Sequence, residues 1–121
     1  MPLKPLDVIW IEDDCIRPPG PKMVVCIEPV LGLFFRINTN PHWQTPIKLD
    51  QRTHAFLDHD SYLECGEPLD LDEYIVDDSL RRRGVIGQVL PQLAAAIFAV
   101  VDAATTISDP DKERIRAALG C

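Results

Sequence analysis

Apolar positions along this chain change their period once, about three-quarters of the way along. Before that point they come in short β-branched and aromatic runs: residues 7–12 (DVIWIE), 22–28 (KMVVCIE) and 33–38 (LFFRIN), each of which predicts a strand. Pro29 to Gly32 supply the turn between the second and third runs, so residues 22–38 are expected to fold as a tight antiparallel hairpin. Residues 47–49 and 61–65 predict two more short strands, with a helical turn over 53–57, and residues 85–90 predict a last strand around Gly87. Pro18-Pro19-Gly20-Pro21 is the strongest break, because prolines fix φ and lack the amide a central strand needs. Residues 38–46 form a polar loop holding two prolines, His42 and Trp43.

The remaining quarter reads as helix. Pro91 suits a first helical turn, where its missing amide costs nothing, and residues 93–104 are apolar nearly all round. A helix apolar on every side must be deeply buried or self-associated, which predicts a homodimer. After a break at 105–108, Ser108 or Asp109 caps a second helix. Asp109, Asp111 and Glu113 favour its positive end, and Gly120 can close it. Strands followed by helices, without strand–helix alternation, predict an α+β fold that is mainly β. The expected architecture is one domain over residues 1–121: a strongly bent antiparallel sheet or barrel over about 5–90, then helices at about 91–104 and 109–119.

Composition narrows the class. The chain has 121 residues, 46% of them hydrophobic, enough for a core without disulfides or a structural metal. The longest apolar run, residues 93–101, is half of the roughly 18–20 residues a membrane span needs. Acidic residues at 7 and 12–14 leave no secretory signal pattern, so a cytoplasmic location with no membrane association is expected. Cys15, Cys26, Cys65 and Cys121 show no paired spacing and are read as free thiols. The net charge of −7 is unevenly spread. Residues 1–52 are balanced, whereas residues 53–80 hold nine acids and no Lys or Arg and are read as a solvated loop and strand edge. Arg81-Arg82-Arg83 opens a mildly basic remainder. Any contact with a polyanion must therefore be local.

Neither a phosphate-binding glycine loop nor a nucleophile elbow is present. Asp58-His59-Asp60, with His54, Cys65 and His42, gathers metal-ligand types, but no pair has the helical spacing of recognised zinc motifs, and a hydrogen-bonded turn is the expected reading. Metal-independent phosphodiester cleavage needs proton transfer and a cation for the phosphate. Lys22, Arg36 and Arg17 are candidates for the charge; Asn38, Thr39, His59, Asp60 and Ser61 are candidates for proton transfer or hydrogen bonding.

Element order then becomes informative: DVIWIE, a Pro/Gly loop, PKMVVCI opening on a basic residue, a strand ending in INTN, and GVIGQV leading into an apolar helix. This order resembles the MazF/PemK family of toxins from toxin–antitoxin pairs. The resemblance implies an SH3-like barrel with a C-terminal helix, a homodimer, an antitoxin partner, and cleavage of single-stranded RNA without metal or cofactor. It places the family's catalytic hydroxyl on Thr39, within INTN, and its arginine on Lys22, with Met23 where the family has proline. Arg36 is a further cation, and Asp60 and Ser61, in FLDHDSYLEC, are secondary candidates. Lysine is a point charge without arginine's planar fork. Two functions therefore stay open: an endoribonuclease, or an inactive barrel serving as a protein–protein interaction module.

Overall fold

The computed structural model describes residues 3–13, 20–40 and 46–121. Its strands are β1 (Asp7–Asp13), β2 (Gly20–Glu28), β3 (Leu33–Asn38), β4 (Ile47–Leu49), β5 (Ser61–Asp70) and β6 (Gly87–Gln88). Its helices are α1 (Glu73–Arg82), α2 (Ala94–Ala103), entered through a 3-10 turn at Pro91–Leu93, and α3 (Asp109–Leu119). The strands form one sheet in the order β4-β5-β3-β2-β1-β6, antiparallel throughout and strongly curled into a half-barrel. The expected class, α+β and mainly β, is thus the observed one. Cys15, Arg17, the proline pair at 18–19, His42 and Trp43 lie outside the described residues.

The hairpin at 22–38 is present, with Val24 opposite Arg36 and Cys26 opposite Phe34. Its turn is held by the buried Glu28, whose carboxylate accepts the amides of Val30 and Leu31, each at 2.8 Å. Gly32 sits at φ +76°, and a Cβ there would lie 2.7 Å from the Leu71 carbonyl oxygen, so both conformation and space require glycine.

Alternation sends side chains to two cores. The inner face carries Val8, Val25, Ile27, Phe35, Ile37, Leu49, Leu63 and Cys65, packed with Ile97 and Val101 of α2 and Ile115 of α3. The outer face carries Ile9, Ile11, Val24, Cys26 and Phe34, covered by Ile75, Val76 and Leu80 of α1. The apolar character of α2 is resolved by this packing. Ile97 and Val101 are buried, Phe98 and Val100 partly so, and its exposed positions are mostly alanines (Ala95, Ala96, Ala99). No second copy is needed to cover its large side chains.

Two sequence expectations are corrected. The acidic stretch is loop only over residues 53–60; beyond them β5 continues to Asp70 as an interior strand, and α1 follows. Apolar residues at 75, 76 and 80 give α1 a stripe to bury, while Glu73 in its first turn and Arg81 and Arg82 in its last match the helix dipole. The last strand is two residues long, not six, since only Asp7 and Val8 of β1 pair with it. At the C-terminal end, α3 follows the sequence closely. The Ser108 side chain accepts from the Asp111 amide at 3.3 Å, and Gly120 ends the helix at φ +73°.

Candidate functional site

The outer face has a second half that α1 leaves uncovered, and its residues fall in two rows across the strands. In the first, Ile11 of β1 is opposite Lys22 of β2, and Asn38 of β3 is opposite Tyr62 of β5, which is in turn opposite Lys48 of β4. The Lys22 ammonium donates to Asn38 Oδ1, joining the row across β2 and β3. In the second, Ile9, Val24, Arg36 and Glu64 stand opposite one another in turn. Apolar residues thus give way to polar ones along both rows, from β1 toward β5.

The reason is the period of the strands. Phe35 and Ile37 are buried on the inner face, so Arg36 and Asn38 face outward; Leu63 and Cys65 do the same for Tyr62 and Glu64. Lys22, Arg36, Asn38 and Tyr62 are half-buried, Glu64 is buried, and the Lys48 side chain is 56% exposed. Thr39, exposed, follows Asn38 directly, one residue past the end of β3.

The five candidates named with the family resemblance therefore separate. Lys22 and Arg36 share the outer face; Thr39 is exposed and follows Asn38 just past the end of β3, one residue out of step with the outward-facing positions. Asp60 lies at the margin, with one carboxylate oxygen accepting the Gln51 amide at 2.8 Å and the other 3.5 Å from Lys48 Nζ. Ser61 does not join: it is 1% exposed and opposite Leu49 on the inner face, and its hydroxyl donates to the His59 carbonyl at 3.2 Å. A one-residue offset in strand parity separates it from Tyr62.

Two residues of the face, Tyr62 and Glu64, were not among the sequence candidates. Their signal was the alternation in SYLEC, which puts the two on one side once Leu63 and Cys65 are assigned to the core. His54, considered as a metal ligand, is a structural residue. It is 2% exposed, with Nδ1 3.0 Å from the Asp50 carbonyl and Nε2 accepting the Leu90 amide at 3.2 Å. Among the described residues, no three His, Cys, Asp or Glu side chains converge as a metal would require.

Chemically, the face offers cations for phosphate (Lys22, Arg36, Lys48), an amide for hydrogen bonding (Asn38) and an aromatic ring on which a base can stack (Tyr62). Among the described residues, no helix is long and apolar enough to cross a membrane. The sequence matches no protein-family model and no curated protein.

Proposed function

We propose that this chain is a MazF/PemK-like protein with an SH3-like barrel, and that it binds single-stranded RNA across the half of its outer sheet face that α1 does not cover and cuts it there without metal. The observation that carries the reading is the row Lys22–Asn38–Tyr62–Lys48, flanked by Arg36, with Thr39 following Asn38 in the chain. Charge supports it in a specific way. The chain as a whole is acidic, so phosphate must be held by a local group of cations; among the described residues this face has three, with Glu64 opposite Arg36 and Asp60 3.5 Å from Lys48. In the cleavage step the ribose 2′-hydroxyl oxygen bonds to phosphorus as the bond from phosphorus to the 5′-oxygen breaks; solvent water takes the 2′-hydroxyl proton and supplies one to the departing 5′-oxygen. Lys22 and Arg36 balance the charge that builds on the phosphate, and the Thr39 hydroxyl donates to it. The same reading carries an antitoxin as protein partner and the cytoplasm as location.

A second reading, the same barrel binding without cutting, is favoured by one observation. Of the groups named for proton transfer, Ser61 is buried on the other face, Asp60 is engaged by Gln51 and Lys48, and the His59 ring lies against the Asp60 carbonyl and the Ser61 hydroxyl. Incubation with a single-stranded RNA in the presence of chelator separates the two. Cleavage that falls by roughly a hundredfold or more in both Lys22→Ala and Thr39→Ala supports the first reading. Binding without cleavage supports the second, and absence of both binding and cleavage overturns both.

A further inference from the structure

Val30 and Leu31 stand side by side in the turn between β2 and β3, 86% and 42% exposed, where a turn ordinarily carries polar residues. The turn is not loose. The Glu28 carboxylate holds both amides, and the Gly32 carbonyl accepts the Leu71 amide at 3.0 Å, tying the turn to the segment that enters α1. Two apolar side chains are thus kept in the open by fixed backbone. Between this turn and α1 runs an open trough of about 510 Å³, the size of a small-molecule site. Phe34, Leu71, Val76 and Leu80 line it, with Leu3 contributed by the segment before β1.

The charge of the trough has one sign. Glu73 and Asp77, four residues apart and so neighbours on one side of α1, both line it, and among the described residues no lysine or arginine does. Both are exposed and, among the described residues, neither enters an ion pair, whereas Asp78 of the same helix is taken by Arg81 and Arg82. Asp70 and Asp72 flank Leu71 in the chain and deepen the negative potential. An anion would be repelled here, and a neutral apolar molecule would leave both carboxylates unused. We propose that this trough is a binding site for a small organic cation with an apolar body, an arylalkyl- or alkylamine. Its hydrocarbon part lies on Leu71, Val76 and Leu80, and its ammonium meets Glu73 and Asp77. Residues four apart on a helix stand about 5–6 Å from one another, so a single ammonium can address both acids. That spacing and the volume of the trough favour a free amine over a basic segment of another protein. The trough belongs to the half of the outer face that α1 covers, and this inference does not rest on the RNA reading.

Amide shifts of the labelled full chain test it with three probes that share one body and differ in the head: 4-phenylbutylamine, 4-phenylbutanol and 4-phenylbutyrate. A fourth probe, the peptide acetyl-Leu-Leu-Lys-Lys-amide, stands for a protein partner. The amine is expected to move the amides of Leu31, Gly32, Leu71 and Asp77. It should bind roughly three- to tenfold more tightly than the alcohol, with the butyrate weakest. Glu73→Gln combined with Asp77→Asn should erase the amine's advantage and leave the alcohol's affinity unchanged. Should that variant fail to fold by circular dichroism, Asp77→Asn alone must narrow the gap. An amine that moves no amide of the trough at millimolar concentration, a butyrate that binds as well as the amine, or an advantage that survives these substitutions in a folded protein would each overturn the proposal. So would a peptide that binds tenfold more tightly than the amine, assigning the trough to a protein partner, or trough amides that shift on dilution without any probe, assigning it to a second copy.

Discussion

His54 Nε2 accepts a hydrogen bond from the Leu90 amide at 3.2 Å, tying the segment after β4 to the segment after β6, at the two opposite edges of the sheet. An Nε2 that accepts leaves the ring proton on Nδ1, which is 3.0 Å from the Asp50 carbonyl oxygen and can donate to it. The imidazole thus clips the half-barrel shut through both nitrogens, with Phe56 edge-on to it at 5.8 Å. His54→Ala removes both hydrogen bonds and leaves a buried void. The expected loss is about 2–4 kcal/mol of unfolding free energy by urea denaturation. A loss within error of zero would show that the clip is not needed for closure.

Gly87 makes the same closure from the other side. A Cβ at this position would lie 2.2 Å from Phe56 Cδ1, so the strand and the ring approach as closely as they do because no side chain intervenes. Gly87→Ala should cost about 1–3 kcal/mol, since Phe56 must move. Combined with Phe56→Ala, it should cost measurably less than the two single losses added together. Strict additivity would mean that the ring is not what the new methyl meets.

The buried thiols set an alkaline limit. Desolvation lifts Cys26 and Cys65 from an ordinary value of 9.0 to about 12, helped by Asp7 and Glu28 at the first and by Glu64 at the second. A group raised on folding stabilises fully below its unfolded value and loses that contribution as pH climbs through the folded one. Unfolding free energy should therefore decline between pH 9 and about 12. Each thiol sets a slope of at most roughly 1.4 kcal/mol per pH unit. In mildly alkaline buffer, iodoacetamide should modify the exposed Cys121 while sparing Cys26 and Cys65 until denaturant is added. Rapid native modification of either buried thiol would contradict this.

Much of this architecture was legible from local pattern. KMVVCIE and LFFRIN flank a Pro–Gly turn, and Ser108, Pro110 and Gly120 mark both ends of α3, so the hairpin and the last helix carry their own signals. The extent of β5 was not legible, because Gly66 and Pro68 look like a break. They are accommodated where the pairing with β3 shifts between Phe34 and Arg36, in a stretch where Pro68 has no ladder amide to supply. The Gly66 carbonyl there accepts from the Thr106 hydroxyl, a contact across forty residues that no local window contains. Helix α1 was hidden by its charge: nine acids without a base read as solvated chain, and its apolar stripe gains meaning only against Ile9, Val24 and Phe34. In the candidate site, Lys22 and Arg36 were named by their charge, and Lys22 also by the family resemblance. Ser61 and Tyr62 could be told apart only after the core had fixed which parity faces inward.

The most direct test of the account is an NMR titration of the labelled protein with a short single-stranded RNA in chelator, using an uncleavable 2′-deoxy analogue if turnover interferes. The outer-face reading predicts that the largest amide shifts fall on Lys22, Arg36, Asn38, Thr39, Lys48 and Tyr62, and that Lys22→Ala together with Arg36→Ala abolishes them. Shifts confined to α1 or to the inner-face helices, or no shifts at all, would contradict it.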